Sequence, residues 1–246
     1  MEITDTWLIA NWKMHGNAAS VRAWAFTVNA ALRSSSHRLK VIFCPPAIYL
    51  ADASAALPPN AQLMLGAQNC HVAEKGAFTG EISAPMLLEA GCGHAILGHS
   101  ERRAMGETDA QVHDKAQAAL AAGLMPIICV GESLVAYEKK QTNAVLDDQL
   151  APLSDLPRGG YLIAYEPVWA IGSNQTPSMA EINAAHSHIK SVLGSETCVL
   201  YGGSVNVANA GEILAQPQVS GALIGGASLE SERMCALIAC AAMRGK

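Results

Sequence analysis

Eight short apolar runs, separated by helical stretches, constrain this chain more than any other feature. They are Trp7–Ala10, Lys40–Cys44, Gln62–Gln68, His94–Leu97, Met125–Val130, Tyr161–Tyr165, Cys198–Tyr201 and Ala222–Ile224. Several are continuous rather than alternating, as strands buried on both faces of a parallel sheet are. The intervening segments are Ala-rich and carry helix signals. Ala18–Leu32 has an apolar face, and Asp109–Ala122 runs from Glu107-Thr108 to Gly123. Ser178–Leu193 opens on a serine with Glu181 three residues on, a capping-box pattern, and stops at Gly194. Eight such alternations in 246 residues predict an α/β fold, a closed (β/α)8 barrel. A doubly wound open sheet is the runner-up, but no G-x-G-x-x-G follows the first strand. No linker or low-complexity stretch divides the chain, so residues 1–246 are expected to form a single domain.

Composition narrows the setting. The net charge is −5 and Lys and Arg form no long run, so neither nucleic acid nor a membrane surface is an expected partner. No apolar run reaches the roughly 20 residues of a membrane span. The start, Met-Glu-Ile-Thr-Asp, has no signal-peptide character. The seven cysteines (44, 70, 92, 129, 198, 235 and 240) are odd in number, and no pair has C-x-x-C spacing. Reduced thiols in a cytoplasmic protein are the expectation.

Polar residues cluster where the strands end. Asn11, Trp12 and Lys13 follow the first, and His99-Ser100-Glu101-Arg102-Arg103 the fourth. Glu166 ends the sixth and is followed at once by Pro167, which stops a central strand. Gly202-Gly203-Ser204 follow the seventh and Gly225-Gly226-Ala227-Ser228 the eighth. In a barrel these ends share one rim, the face where such enzymes work. Glu166 beside the apolar Val-Trp-Ala-Ile-Gly stretch has the makings of a general base in a dry place. Taken alone it is equally an ordinary turn carboxylate. His99 alone is better explained as a structural hydrogen-bonding residue, and a lone Lys13 as a solvated one.

Seven motifs, in order, carry a resemblance. They are Ala10–Met14, Gly76–Glu81, Leu97–Arg103, Cys129–Glu132, Tyr165–Gly172, Tyr201–Val205 and Gly225–Leu229. Together they identify the chain as similar to the triosephosphate isomerase family over essentially its full length, with the family's TIM barrel. The resemblance implies interconversion of dihydroxyacetone phosphate and glyceraldehyde 3-phosphate through an enediol(ate), as in glycolysis and gluconeogenesis, with no metal and no cofactor. It implies Glu166 as base and His99 as the electrophile, neutral because a helix starts behind it. It implies Lys13 as the cation, Asn11 as its orienting neighbour and Glu101 as its partner. Gly172, Ser204, Gly225 and Gly226 are implied phosphate donors, the last two where a short helix starts. Arg102 is implied in loop geometry and the subunit contact rather than in catalysis.

Pro167–Thr176 is expected to be a lid, hinged at Pro167-Val168-Trp169 and near Gln175-Thr176-Pro177, that protects the enediolate from losing phosphate. Here Ser173-Asn174 replaces the family's usual Thr-Gly, predicting a stiffer hinge. The Gly76–Glu81 loop, with Thr79, resembles an intersubunit loop that inserts beside the partner's Asn11 and Lys13, so a homodimer is expected. Three other readings compete, one of them an unrelated phosphate-binding barrel, which explains Gly225-Gly226 but leaves the other motifs unexplained. An isomerase of a four-carbon ketose phosphate is possible with the same base, electrophile and phosphate nest. A non-catalytic scaffold would usually have lost one of Glu166, His99 and Lys13, and all three are present.

Overall fold

The computed structural model describes residues 5–33, 38–171 and 176–243. Eight parallel strands close into a barrel in chain order. They are β1 (Thr6–Asn11), β2 (Leu39–Cys44), β3 (Leu63–Ala67), β4 (Cys92–Leu97), β5 (Met125–Val130), β6 (Leu162–Tyr165), β7 (Val199–Tyr201) and β8 (Gly221–Ile224). Around it lie α1 (Ala18–Leu32), α2 (Leu50–Ala55), α3 (Ala84–Glu89), α4 (Ser100–Ala104), α5 (Asp109–Ala122), α6 (Leu134–Glu138), α7 (Thr142–Leu150), α8 (Met179–Leu193), α9 (Ala210–Leu214) and α10 (Ser231–Ala242). The barrel closes through β1 on β8, with Trp7 level with Gly221 and Ala10 with Ile224.

The continuous apolar runs are explained by two cores. One fills the barrel and includes Ile9, Ile42, Ile96, Ile127, Leu200 and Leu223. The other lies between barrel and helices and includes Leu8, Ala10, Val41, Phe43, Val130 and Val199. Alternate residues of each strand therefore face opposite layers, and both layers are dry. The inward series also sets the site. Two residues beyond Ile9 is Asn11, and two beyond the inward Ala164 is Glu166. The rim is polar because the same alternation continues past the last apolar layer.

The helix signals were sound. Asn17 and Ser20 cap α1 reciprocally, Thr108 and Gln111 cap α5, and Ser178 and Glu181 cap α8. Gly123 ends α5 at φ +91°. β5 keeps its expected bounds, and the other strands shift by one residue at one or both ends, or by two at the start of β4. β4 begins two residues earlier, at Cys92, because pairing extends through the weak strand-former Gly93. β3 is shorter than its apolar run, and its register to β4 shifts between Leu65 and Gly66.

Candidate active site

At the C-terminal rim a cavity of about 390 Å³ is lined by Asn11, Lys13, His99, Glu166, Ser204 and the Gly225–Gly226 turn, among others. Glu166 is only 2% exposed and His99 6%. His99 Nε2 lies 3.0 Å from Glu166 Oε1. The Ser100 backbone N–H donates to Glu166 Oε2 at 2.8 Å. Both carboxylate oxygens are thus held by the β4–α4 junction.

That junction also fixes the imidazole. His99 is the N-cap of α4, and its Nδ1 accepts from the Glu101 N–H at 3.2 Å. A ring nitrogen that accepts carries no proton, so the remaining proton sits on Nε2, facing Glu166. Gly98 makes the turn possible. Its φ is +68°, and a Cβ there would meet Val112 Cγ2 at 2.8 Å.

Lys13 adopts φ +52°, uncommon for a residue with a side chain. Both of its peptide groups are pinned. Its N–H donates to Asn11 Oδ1 at 3.1 Å, and its carbonyl accepts from Gln68 Nε2 at 2.9 Å. Backbone strain held in place by side chains in this way is a feature of functional sites. The ammonium reaches Glu101 Oε1 at 2.6 Å. Lys13 Cε also lies 3.6 Å from where a Cβ on Gly225 would stand, so the cation borders the glycine turn.

Gly225 and Gly226 open a 3-10 turn, Gly226–Ser228. The turn is fastened from behind by two indoles, with Trp12 Nε1 and Trp24 Nε1 donating to the Ser228 carbonyl at 3.1 and 2.8 Å. Gly225 and Gly226 both line the cavity, and nothing stands within 4 Å of a Cβ position on Gly226. Ser204 lines the same cavity, as does Arg233, whose Nε pairs with Glu230 Oε2 at 2.9 Å. Gly172 and the Ser173-Asn174 pair lie outside the described residues, and so does part of the Pro167–Thr176 span. Of the other expected site residues, Asn11, Lys13, His99, Glu101, Glu166, Ser204, Gly225 and Gly226, the structure brings together all but Glu101 around this one cavity, and Glu101 joins through Lys13.

A second tier was assigned no role by the sequence, although Cys129, Glu132 and Arg103 stand inside its motifs. Glu132 is fully buried and accepts from Trp169 Nε1 at 2.8 Å and from Tyr165 OH at 3.1 Å. Burial raises its pKa against those hydrogen bonds. It thereby anchors the residues on both sides of Glu166. Cys129, fully enclosed beside Glu166, is pushed well above the usual thiol range by burial and then by that carboxylate. Arg103 donates to the carbonyls of Gly98 at 2.7 Å and Cys129 at 3.0 Å, tying β4 to β5. Glu107 receives Lys115 and Arg102 and accepts from the Gly98 N–H at 3.1 Å. Burial raises its pKa, but the two cations outweigh this and hold it below the usual range.

The Trp12 and Trp24 anchors and the Glu132 bonds join residues far apart in the chain, so no local pattern announces them. Among the described residues no group of three or more His, Cys, Asp or Glu is placed to hold a metal ion.

Comparison with known proteins agrees with this geometry. The family model described as triosephosphate isomerase matches residues 6–241. The triosephosphate isomerase of Acidiphilium cryptum is 44% identical, over 96% of this chain and 98% of that protein. That of Bordetella pertussis is 45% identical, over 94% and 96% respectively. The crystal structure of triosephosphate isomerase from Bartonella henselae superposes with a TM-score of 0.85 at 38% identity, covering 96% of this chain and 98% of that one. The chain belongs to the triosephosphate isomerase family.

Proposed function

We propose that the 390 Å³ cavity interconverts dihydroxyacetone phosphate and glyceraldehyde 3-phosphate, with Glu166 as the base. The observation that carries this reading is a nearly inaccessible carboxylate, 3.0 Å from a ring nitrogen whose tautomer is fixed from the far side. Glu166 takes the proton from the carbon beside the carbonyl, and the electron pair passes to the carbonyl oxygen. The His99 Nε2–H donates to that oxygen, and the Lys13 ammonium stabilises the enediolate charge. His99 passes its Nε2 proton to that oxygen and takes the proton of the neighbouring hydroxyl, and Glu166 then returns its proton to the former carbonyl carbon, leaving the new carbonyl where the first proton was removed. Both Glu166 oxygens are engaged, one by His99 Nε2 and one by the Ser100 N–H, so Glu166 reaches the substrate carbon by giving up its His99 contact. Asn11 and Gln68 hold Lys13, and Glu101 orients its ammonium. The N–H groups of Gly225 and Gly226, with Ser204, grip the phosphate. This chemistry calls for no cofactor.

The reading includes a homodimer. A second cavity, about 380 Å³, lies beside the first, shares Asn11, Lys13 and His99 with it, and is lined in addition by Glu101. Its surroundings are unusually apolar for a free surface: Met14 is 94% exposed, Ile48 79% and Met105 73%. The Gly76–Glu81 loop is exposed throughout, which leaves it free to reach a partner. Sedimentation showing a fully active monomer contradicts the dimer. No described helix is long and apolar enough to cross a membrane, and unpaired cysteines fit a cytoplasmic setting.

The test is a substrate panel. Purified protein is offered glyceraldehyde 3-phosphate and a four-carbon ketose phosphate. The expected result is kcat/KM of about 10⁷–10⁸ M⁻¹s⁻¹ on the triose and far less on the larger sugar. Better turnover of the four-carbon substrate overturns the assignment.

A further inference from the structure

We propose that Tyr137 is a positioning residue for the reaction, clamping the segment that leaves Glu166 and tying it to the start of α8. The proposal rests on the reading of Glu166 as the base, but on different contacts. Tyr137 lies on α6, and its side chain takes no part in the cavity. Its ring stacks on Trp169, with centroids 4.0 Å apart and planes inclined by 22°. Its hydroxyl donates to Glu181 Oε1 at 2.7 Å.

Each end of this bridge is itself fixed. Trp169 is held at its edge by Glu132, so Tyr137 on its face completes a two-sided grip. The indole belongs to the 3-10 turn Val168–Ala170, closed by the Ala170 N–H on the Pro167 carbonyl at 2.8 Å. The Val168 N–H donates to the Glu132 carbonyl at 3.1 Å. Glu166 is joined to that turn by Pro167 alone, whose ring fixes φ. A displacement of the indole therefore reaches the base through a short, stiff path. At the other end, Glu181 Oε2 accepts both the Ser178 N–H and the Ser178 hydroxyl at 2.8 Å. Tyr137 thus joins the chain's exit from β6 to its entry into α8 in a single side chain.

A ring that only covered surface would contribute to stability and leave turnover per folded molecule alone. A positioning ring alters turnover and the environment of Trp169 together. The experiment compares wild type, Tyr137→Phe and Tyr137→Ala, each labelled with 5-fluorotryptophan, with the Trp169 resonance assigned by Trp169→Phe. Circular dichroism establishes that each is folded. Readouts are the ¹⁹F shift of Trp169, kcat and KM, and inorganic phosphate released per isomerisation. For Tyr137→Ala the expected result is a displaced Trp169 resonance, kcat lower by about fivefold, KM within twofold, and more phosphate lost per turnover. Tyr137→Phe keeps the stack but loses the Glu181 tie. It is expected to restore the Trp169 shift and most of kcat.

An unmoved Trp169 resonance, or wild-type kcat and phosphate release in folded Tyr137→Ala, overturns the clamp while leaving the isomerase reading intact. A wild-type protein without triose isomerisation overturns both.

Discussion

Gly131 is the position at which one added carbon should do the most damage. A Cβ there would stand 1.7 Å from the Glu166 carbonyl oxygen and 2.5 Å from its carbonyl carbon. Real Cβ contacts essentially never fall below 3.0 Å, so one backbone must retreat by about 1 Å or more. Gly131 cannot easily be the one that moves. Its N–H donates to Gln149 Oε1 at 2.7 Å, and its carbonyl accepts from Gln149 Nε2 at 3.1 Å. Glu166 is held to the same strand by its N–H on the Val130 carbonyl at 2.7 Å. The strain therefore falls on the peptide that carries Glu166, the proposed base. A misplacement of about 1 Å costs on the order of 10²-fold in rate, and overpacking of this kind costs about 3 kcal/mol in stability. For a chain of this length that lowers Tm by about 9 °C. Gly131→Ala is thus expected to fold, to melt earlier, and to show kcat reduced about hundredfold with KM little changed. The assay is coupled isomerisation of glyceraldehyde 3-phosphate on protein verified as folded, beside a melting curve. Adding Gln149→Ala to the variant should recover part of both losses by letting Gly131 yield. A Gly131→Ala enzyme with kcat within threefold of wild type refutes the reasoning.

Three further expectations follow from the same contacts. Glu132→Ala strands Trp169 Nε1 and the Tyr165 hydroxyl, costing about 3 kcal/mol, whereas Glu132→Gln keeps an acceptor oxygen and costs less. Equal urea midpoints for the two variants would count against this. His94 is pushed down to about 4 and His186 to about 3 by burial, against opposing hydrogen bonds of their rings to the Leu65 and Gln218 backbones. The unfolded chain protonates both below about pH 6.5 and the folded chain does not, so their contribution is complete above about pH 6.5 and is lost as pH falls toward 4. His94→Phe should therefore lose about 2 kcal/mol less stability than wild type between pH 7 and 4.5, and parallel urea titrations showing identical losses would contradict it. Arg233, which lines the cavity with Gly225 and Gly226, should contribute an attraction to the proposed phosphate site that salt screens, so Arg233→Ala weakens inhibition by inorganic phosphate about threefold at low ionic strength. Unchanged inhibition would remove Arg233 from the anion site.

The barrel was legible because its strands are buried on both faces and therefore read as unbroken apolar runs. The boundary missed at Cys92 lies where Gly93 interrupts the run. The rim was legible for a related reason. Asn11 and Glu166 fall in the inward phase immediately after apolar residues, so the change from apolar to polar marks the end of the core. The supports were not legible. Glu132 meets Trp169 across 37 residues, Tyr137 meets Glu181 across 44, and Trp12 meets Ser228 across 216. Such pairs form only when the barrel closes, and each partner alone looks like an ordinary core or surface residue. The positive φ of Lys13 was likewise invisible, because Lys gives no hint of left-handed backbone.

The central claim is that Glu166 moves the proton, and solvent exchange tests it most directly. Wild type and Glu166→Ala are run from dihydroxyacetone phosphate in deuterated water, and deuterium at the reacting carbons is counted alongside product. The expected result is exchange and isomerisation falling together in the variant by about 10³-fold, with wild type incorporating deuterium during turnover. A folded Glu166→Ala protein that keeps both within tenfold of wild type would place the base elsewhere and contradict the account.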